Sequence, residues 1–96
     1  LYKLRLNITT ECLENNQIAI RITDNGMGIE EDVRSKIFDP FFTTKPVGQG
    51  TGLGLSTCYQ IVTINHRGHL HCLSALNQGS SFIIELPVRL YESPLV

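Results

Sequence analysis

The chain lacks the bulk features that would tie it to a membrane or to nucleic acid. No uninterrupted apolar run approaches the roughly 20 residues that span a bilayer, and the N-terminus has no leader-peptide layout. Charge of one sign is missing too: 8 basic residues are balanced by 9 acidic ones, net −1, scattered along the chain. No basic stripe therefore exists to neutralise phosphates, which argues against a nucleic-acid partner. Cysteine is scarce: Cys12, Cys58 and Cys72 are widely spaced and odd in number, poor material for a disulfide framework. There is no internal repeat and no low-complexity tract. The expectation from these absences is a cytoplasmic segment with no membrane contact.

What is present suits one small domain. The 96 residues are 42% hydrophobic, and a domain of this size hides roughly 60–70% of its unfolded surface. The first residue is Leu1, and Tyr2 to Thr10 already reads as a strand, with Leu4, Leu6 and Ile8 alternating against polar residues. A domain seldom opens on a core strand, so an upstream portion is expected. Glu14 to Gln17 forms a polar turn into a second strand, where Ile18, Ile20 and Ile22 alternate with Ala19, Arg21 and Thr23. Glu30 to Phe38 reads as a short helix, acidic at its start and ended by Pro40. Pro40 to Gly54 is expected to be a long mobile loop. Leu55, Cys58, Tyr59 and Val62 follow helical spacing to about Ile64. Alternation then predicts strands around Leu70–Ser74 and Phe82–Leu86, separated by the Asn77-Gln78-Gly79 turn and closed by Pro87.

Four segments could carry chemistry. Asp24-Asn25-Gly26-Met27-Gly28-Ile29 ends a strand. It reads either as a hairpin turn or as a ligand edge, where a carboxylate accepts from an exocyclic amine and glycines let backbone approach a flat ring. Gly48 to Leu55 has glycine at four alternate positions before an amphipathic helix. That is a flexible linker or a phosphate cradle of backbone N–H groups at a helix start, and no Walker Gly-Lys-Ser/Thr follows. In Phe38-Asp39-Pro40-Phe41-Phe42-Thr43-Thr44-Lys45, Phe38 and Phe41 are expected to tether the loop to the core, with Lys45 contacting a ligand phosphate. His66, His69, His71 and Cys72 invite a metal reading, but on a strand His69 and His71 share one face while Cys72 points to the other. Two ligands fall short of the usual three or four, which favours a solvated histidine face.

The order and spacing of these segments resemble the ATP-binding domain of sensor histidine kinases, of the GHKL ATPase superfamily. Asp24 to Ile29 looks like that family's first glycine box, Phe38 to Lys45 its F box, and Gly50 to Leu55 its second glycine box. Gln78-Gly79-Ser80-Ser81-Phe82 through Leu86-Pro87 is similar to its last glycine motif and final strand. Gyrase, mismatch-repair and chaperone ATPases share the fold, but the F box weighs against them. The resemblance implies an α/β fold, a two-layer α+β sandwich whose mixed, mostly antiparallel sheet carries helices on one face. It implies a domain over 1–88 and a tail over 89–96. It implies that Asp24 holds the adenine amino group, with Gly26, Gly28 and Ile29 beside the ring. Lys45 and the backbone of Gly50, Thr51, Gly52, Leu53, Gly54 and Leu55 would hold the phosphates, and the stretch from about Phe42 to Gly54 would be the ATP lid.

The implied activity is presentation of ATP for phosphoryl transfer to a histidine in a dimerisation domain that this chain does not contain, and onward to a response regulator. Mg²⁺ is implied as well, but the family's N box, whose asparagine holds it, has no counterpart before the first strand. The isolated segment is therefore expected to be inactive alone. Arg67 stands where the family has the first glycine of a His-Gly-Gly turn, and Leu76-Asn77 where Pro-Gly is common. Asn accepts a left-handed conformation readily and Arg does so at a cost. A non-catalytic nucleotide-binding or protein-contact module is the alternative.

Overall fold

A computed structural model describes residues 3–45, 48, 50 and 52–88. Four strands, β1 (Leu6–Leu13), β2 (Gln17–Asp24), β3 (His69–Ser74) and β4 (Ser80–Pro87), form one sheet in the order β1-β2-β4-β3. Every pairing is antiparallel. β2 and β3 run in the same direction but β4 lies between them, so the expected mixed sheet is antiparallel throughout the described residues. The α/β class and the helices on one face stand as expected.

The first strand is shifted from its expected span. β1 runs to Leu13, beyond the apolar alternation, because the turn sets the ladder: Asn15 (φ 63°) and Asn16 (φ 57°) take the left-handed conformation and bring Leu13 opposite Gln17. Short polar side chains tolerate this region at little cost.

The helix expected over Glu30–Phe38 is shorter. α1 covers Glu31–Arg34 and continues as turns, closed by Lys36 N–H to Val33 C=O and Asp39 N–H to Lys36 C=O. Arg34 pairs with Glu31 one turn back and reaches the Cys72 carbonyl of β3 at 3.3 Å, tying the short helix to the sheet. α2 covers Gly54–Gln60 and passes directly into a π-helical turn, Ile61–Asn65, closed by His66 N–H to Ile61 C=O at 3.1 Å.

Paired residues in an antiparallel ladder share a face. The row Ile8, Ile22, Phe82, Cys72 and the row Thr10, Ile20, Ile84, Leu70 cross the sheet on the helix side. Phe38 packs there against Tyr59 (centroids 5.1 Å) and edge-on to Phe82 (6.4 Å), with Ile37, Val62, Leu70 and Cys72 buried around them. The helical segments lean on β3 and cover that half of the sheet. The other half is open: Leu4, Leu6 and Ile8 are 71%, 63% and 62% exposed.

Candidate functional site

The site lies at the end of the sheet where Leu6, Asp24, Ser80 and Ser74 line up across all four strands on the helix face. Asp24 ends β2, and its Oδ1 accepts the Gly26 N–H at 2.7 Å, turning the chain out of the strand. The Asn-Gly pair does not make a hairpin. Asn25 instead extends the β1 edge: its Oδ1 accepts Arg5 N–H and its Nδ2 donates to the Lys3 carbonyl, both at 2.7 Å.

The loop that follows presses on the β3–β4 turn. Gly28 has φ +80°, and a Cβ there would sit 1.9 Å from the Ala75 carbonyl oxygen, so only glycine fits. Asn77 N–H donates to Met27 C=O at 2.5 Å, and Ile29 N–H donates to Ser74 Oγ at 2.7 Å. A cavity of about 320 Å³ opens here, lined by Asn25, Gly26, Met27 and Asn77.

The glycine-rich segment forms the other end. Gly52 (φ +73°) packs on the backbone of Phe41, where a Cβ would meet a carbon at 2.4 Å, and its carbonyl accepts Phe41 N–H at 2.8 Å. Leu53 precedes α2, its carbonyl accepting from Thr57 N–H and Ser56 Oγ. A cavity of about 330 Å³ is lined by Phe42, Lys45, Gly50, Gly52, Gly54 and Leu55 among others. Beside it, a cavity of about 270 Å³ brings Ile29 together with Phe42, Lys45 and Leu55. Thr51 lies outside the described residues, as do Pro46, Val47 and Gln49 of the expected mobile lid.

One aromatic assignment is corrected. Phe38 is half-buried and packs against Tyr59 and Phe82, as expected of a tether, but Phe41 is 70% exposed. Its φ of +67° turns the ring outward, so Phe41 holds the loop through its backbone bond to Gly52 while Phe42 lines the cavity. Asn77 and Ser74 are site residues that motif reading passed over. The only local signal was Asn77's suitability for a left-handed turn, which it adopts (φ 65°).

The histidines lie elsewhere. His69 and His71 share the outer face, His71 Nε2 lies 3.3 Å from Glu85 Oε1, and Cys72 is buried on the opposite face. Among the described residues no group of three or more His, Cys, Asp or Glu is arranged to hold a metal ion. Burial pushes the Cys72 thiol above its ordinary pKa, an effect that Arg34 opposes and Asp24 reinforces. Glu31 is held below the usual carboxylate range by its hydrogen bond to Arg34.

Residues 3–90 match the family described as histidine kinase-, DNA gyrase B-, and HSP90-like ATPase. The chain belongs to this family. Within it, sensor kinase CckA of Brucella abortus is 48% identical over 74 residues, covering 77% of this chain and 8% of CckA. Histidine-protein kinase AtoS of Escherichia coli is 42% identical over 84 residues, covering 88% of this chain and 13% of AtoS. The chain thus spans a small part of the curated relatives it matches.

Among solved structures, the nucleotide-free catalytic domain of histidine kinase ThkA superposes with TM-score 0.73 at 39% identity, over 88% of this chain and 53% of that one. Full-length ShkA in complex with AMPPNP gives TM-score 0.78 at 27% identity, over 94% of this chain and 18% of that one. ThkA in complex with response regulator TrrA gives 0.66 at 33% identity, over 85% and 22%. The fold is that of histidine kinase catalytic domains. No helix among the described residues is long and apolar enough to cross a membrane.

Proposed function

We propose that this chain binds ATP as the nucleotide-presenting part of a two-component sensor histidine kinase, residues 1–88 forming the binding unit and 89–96 a tail. The phosphoryl group would pass to a histidine on a dimerisation domain outside these 96 residues, and from there to a response regulator. The observation that carries this reading is the cavity shared by Ile29 of the Asp24–Ile29 loop, Lys45 at the end of the Phe38–Lys45 segment and Leu55 at the end of the glycine-rich segment. A base held at one end and phosphates at the other fit that joining.

At the base end, Asp24 Oδ1 is engaged by Gly26 N–H, which among the described residues leaves Oδ2 to accept from an exocyclic amine. The turns at Gly26 and Gly28 let the ring approach the backbone. At the phosphate end, the Lys45 ammonium and the backbone N–H groups from Gly50 to Leu55 supply positive charge. Kinase chemistry of this kind is mainly positioning and charge stabilisation.

Magnesium fits poorly. It takes oxygen ligands in octahedral geometry, and among the described residues no carboxylate lines either cavity beside Lys45. Nucleotide affinity of this chain is therefore expected to be weak and nearly independent of Mg²⁺. That favours a second reading for the chain by itself, a nucleotide-binding module without catalysis.

Calorimetric titration with ADP and GDP, with and without Mg²⁺, tests both points. ADP should bind more tightly than GDP, and Asp24→Asn should erode the preference roughly tenfold, because the amide offers a donor where the carboxylate offered only acceptors. Equal affinity for the two nucleotides in the unmodified chain would refute the base assignment.

A further inference from the structure

We propose that Ser74 is a positioning residue for the base end of the nucleotide site, locking the Gly26–Ile29 loop onto the β3–β4 turn; this rests on the proposed nucleotide-binding function. The Ser74 hydroxyl makes three hydrogen bonds: it accepts Ile29 N–H at 2.7 Å, donates to the Gly79 carbonyl at 2.8 Å, and meets Ser80 Oγ at 2.8 Å. A serine hydroxyl carries one proton and two lone pairs. Its proton is committed to Gly79 C=O, so Ser80 must donate to it, and all three valences are filled. That fixes the hydroxyl rotor and, through Ile29 N–H, the far end of the loop.

The near end of the same loop is held by Asp24, whose Oδ1 takes Gly26 N–H at 2.7 Å. Between these anchors the loop meets the turn through backbone alone: Asn77 N–H on Met27 C=O, and Gly28 against the Ala75 carbonyl. Among the described residues Ser74 is the one side chain that ties loop to turn. It is also in register with Ser80 and, through it, with Asp24, so it holds the loop from the row that bears the base-binding carboxylate. Ser74 touches no nucleotide in this account; it sets the orientation of the loop that does, and hence the direction of the Asp24 carboxylate.

The test compares Ser74→Ala and Ser74→Thr in the full chain by NMR titration with two separate probes, adenosine for the base end and tripolyphosphate for the phosphate end. Ser74→Ala should weaken adenosine roughly tenfold, leave tripolyphosphate unchanged and speed hydrogen exchange at Ile29. Ser74→Thr, which keeps the hydroxyl, should restore all three. Gly52→Ala is the reciprocal control, losing tripolyphosphate while sparing adenosine.

If Ser74→Ala weakens both probes together, the residue is merely structural and the proposal falls. If it weakens neither, the proposal falls with the nucleotide site left standing. If the unmodified chain binds neither adenosine nor tripolyphosphate, the proposed function itself is refuted and Ser74 has nothing to position.

Discussion

Single residues carry conformational cost in identifiable places. Arg67 takes φ 57° in the turn before β3, a conformation that costs a non-glycine residue roughly 1–2 kcal/mol. Arg67→Gly should therefore raise stability by about 1 kcal/mol, less whatever glycine loses in unfolded-chain entropy. Urea denaturation of the two proteins reads the difference directly. An unchanged or lower midpoint would mean that the Arg67 side chain contributes more than its backbone costs.

Cys72 makes a second prediction at this scale. It is buried with a raised pKa, while Cys12 and Cys58 are exposed. The folded state favours the neutral thiol, so this contribution to stability is full below the unfolded-state pKa and is lost as pH rises through the folded one. Timed alkylation with mass-spectrometric readout should label Cys12 and Cys58 well before Cys72 at mildly alkaline pH. Early labelling of Cys72 would contradict its burial.

Elements were unequally legible in the sequence. β2, β3 and β4 could be read because apolar residues recur at every second position. In β3 this matches burial against the helices at Leu70 and Cys72, whereas Ala19 of β2 and Ile83 of β4 are buried on the opposite face. The end of β1 could not, because two left-handed asparagines and not side-chain pattern decide where that ladder closes. Phe41 and Phe42 are adjacent aromatics with no period to separate them, and a single positive φ at Phe41 decides which faces inward. Ser74 was hidden for a different reason: its bond to Ile29 joins residues 45 positions apart, and no local motif encodes it.

The corrected aromatic roles have a consequence for stability. Phe38→Ala empties a contact with Tyr59 and Phe82 and should cost about 3 kcal/mol. Phe41→Ala removes a largely exposed ring and should fall within about 0.5 kcal/mol of neutral. Thermal melts of the two variants separate the cases, and comparable losses would restore Phe41 to the core.

At the scale of the whole molecule, the sheet is half covered. Leu4, Leu6 and Ile8 are largely exposed, and Ile18, Ile20 and Ile22 are only partly buried. Each aliphatic side chain left in water forgoes roughly 1.5–3 kcal/mol, against a typical net stability of about 5–15 kcal/mol. The 96-residue chain should therefore be marginally folded and self-associate through the β1 face. Sedimentation velocity with parallel denaturant melts checks this, and a monomer of ordinary stability would contradict it.

The same fold brings Ile29 of one loop and Phe42, Lys45 and Leu55 of another to a common cavity, and the proposed nucleotide binding requires the two loops to form a single site. The most direct measurement is an NMR titration of the chain with a non-hydrolysable ATP analogue, following backbone amides. Gly26, Gly28 and Ile29 should shift together with Gly50, Gly52 and Gly54, along one saturation curve, while His69 and His71 on the outer face stay still. Shifts confined to one loop, two different saturation curves, or no shifts at millimolar analogue would contradict a site that spans both.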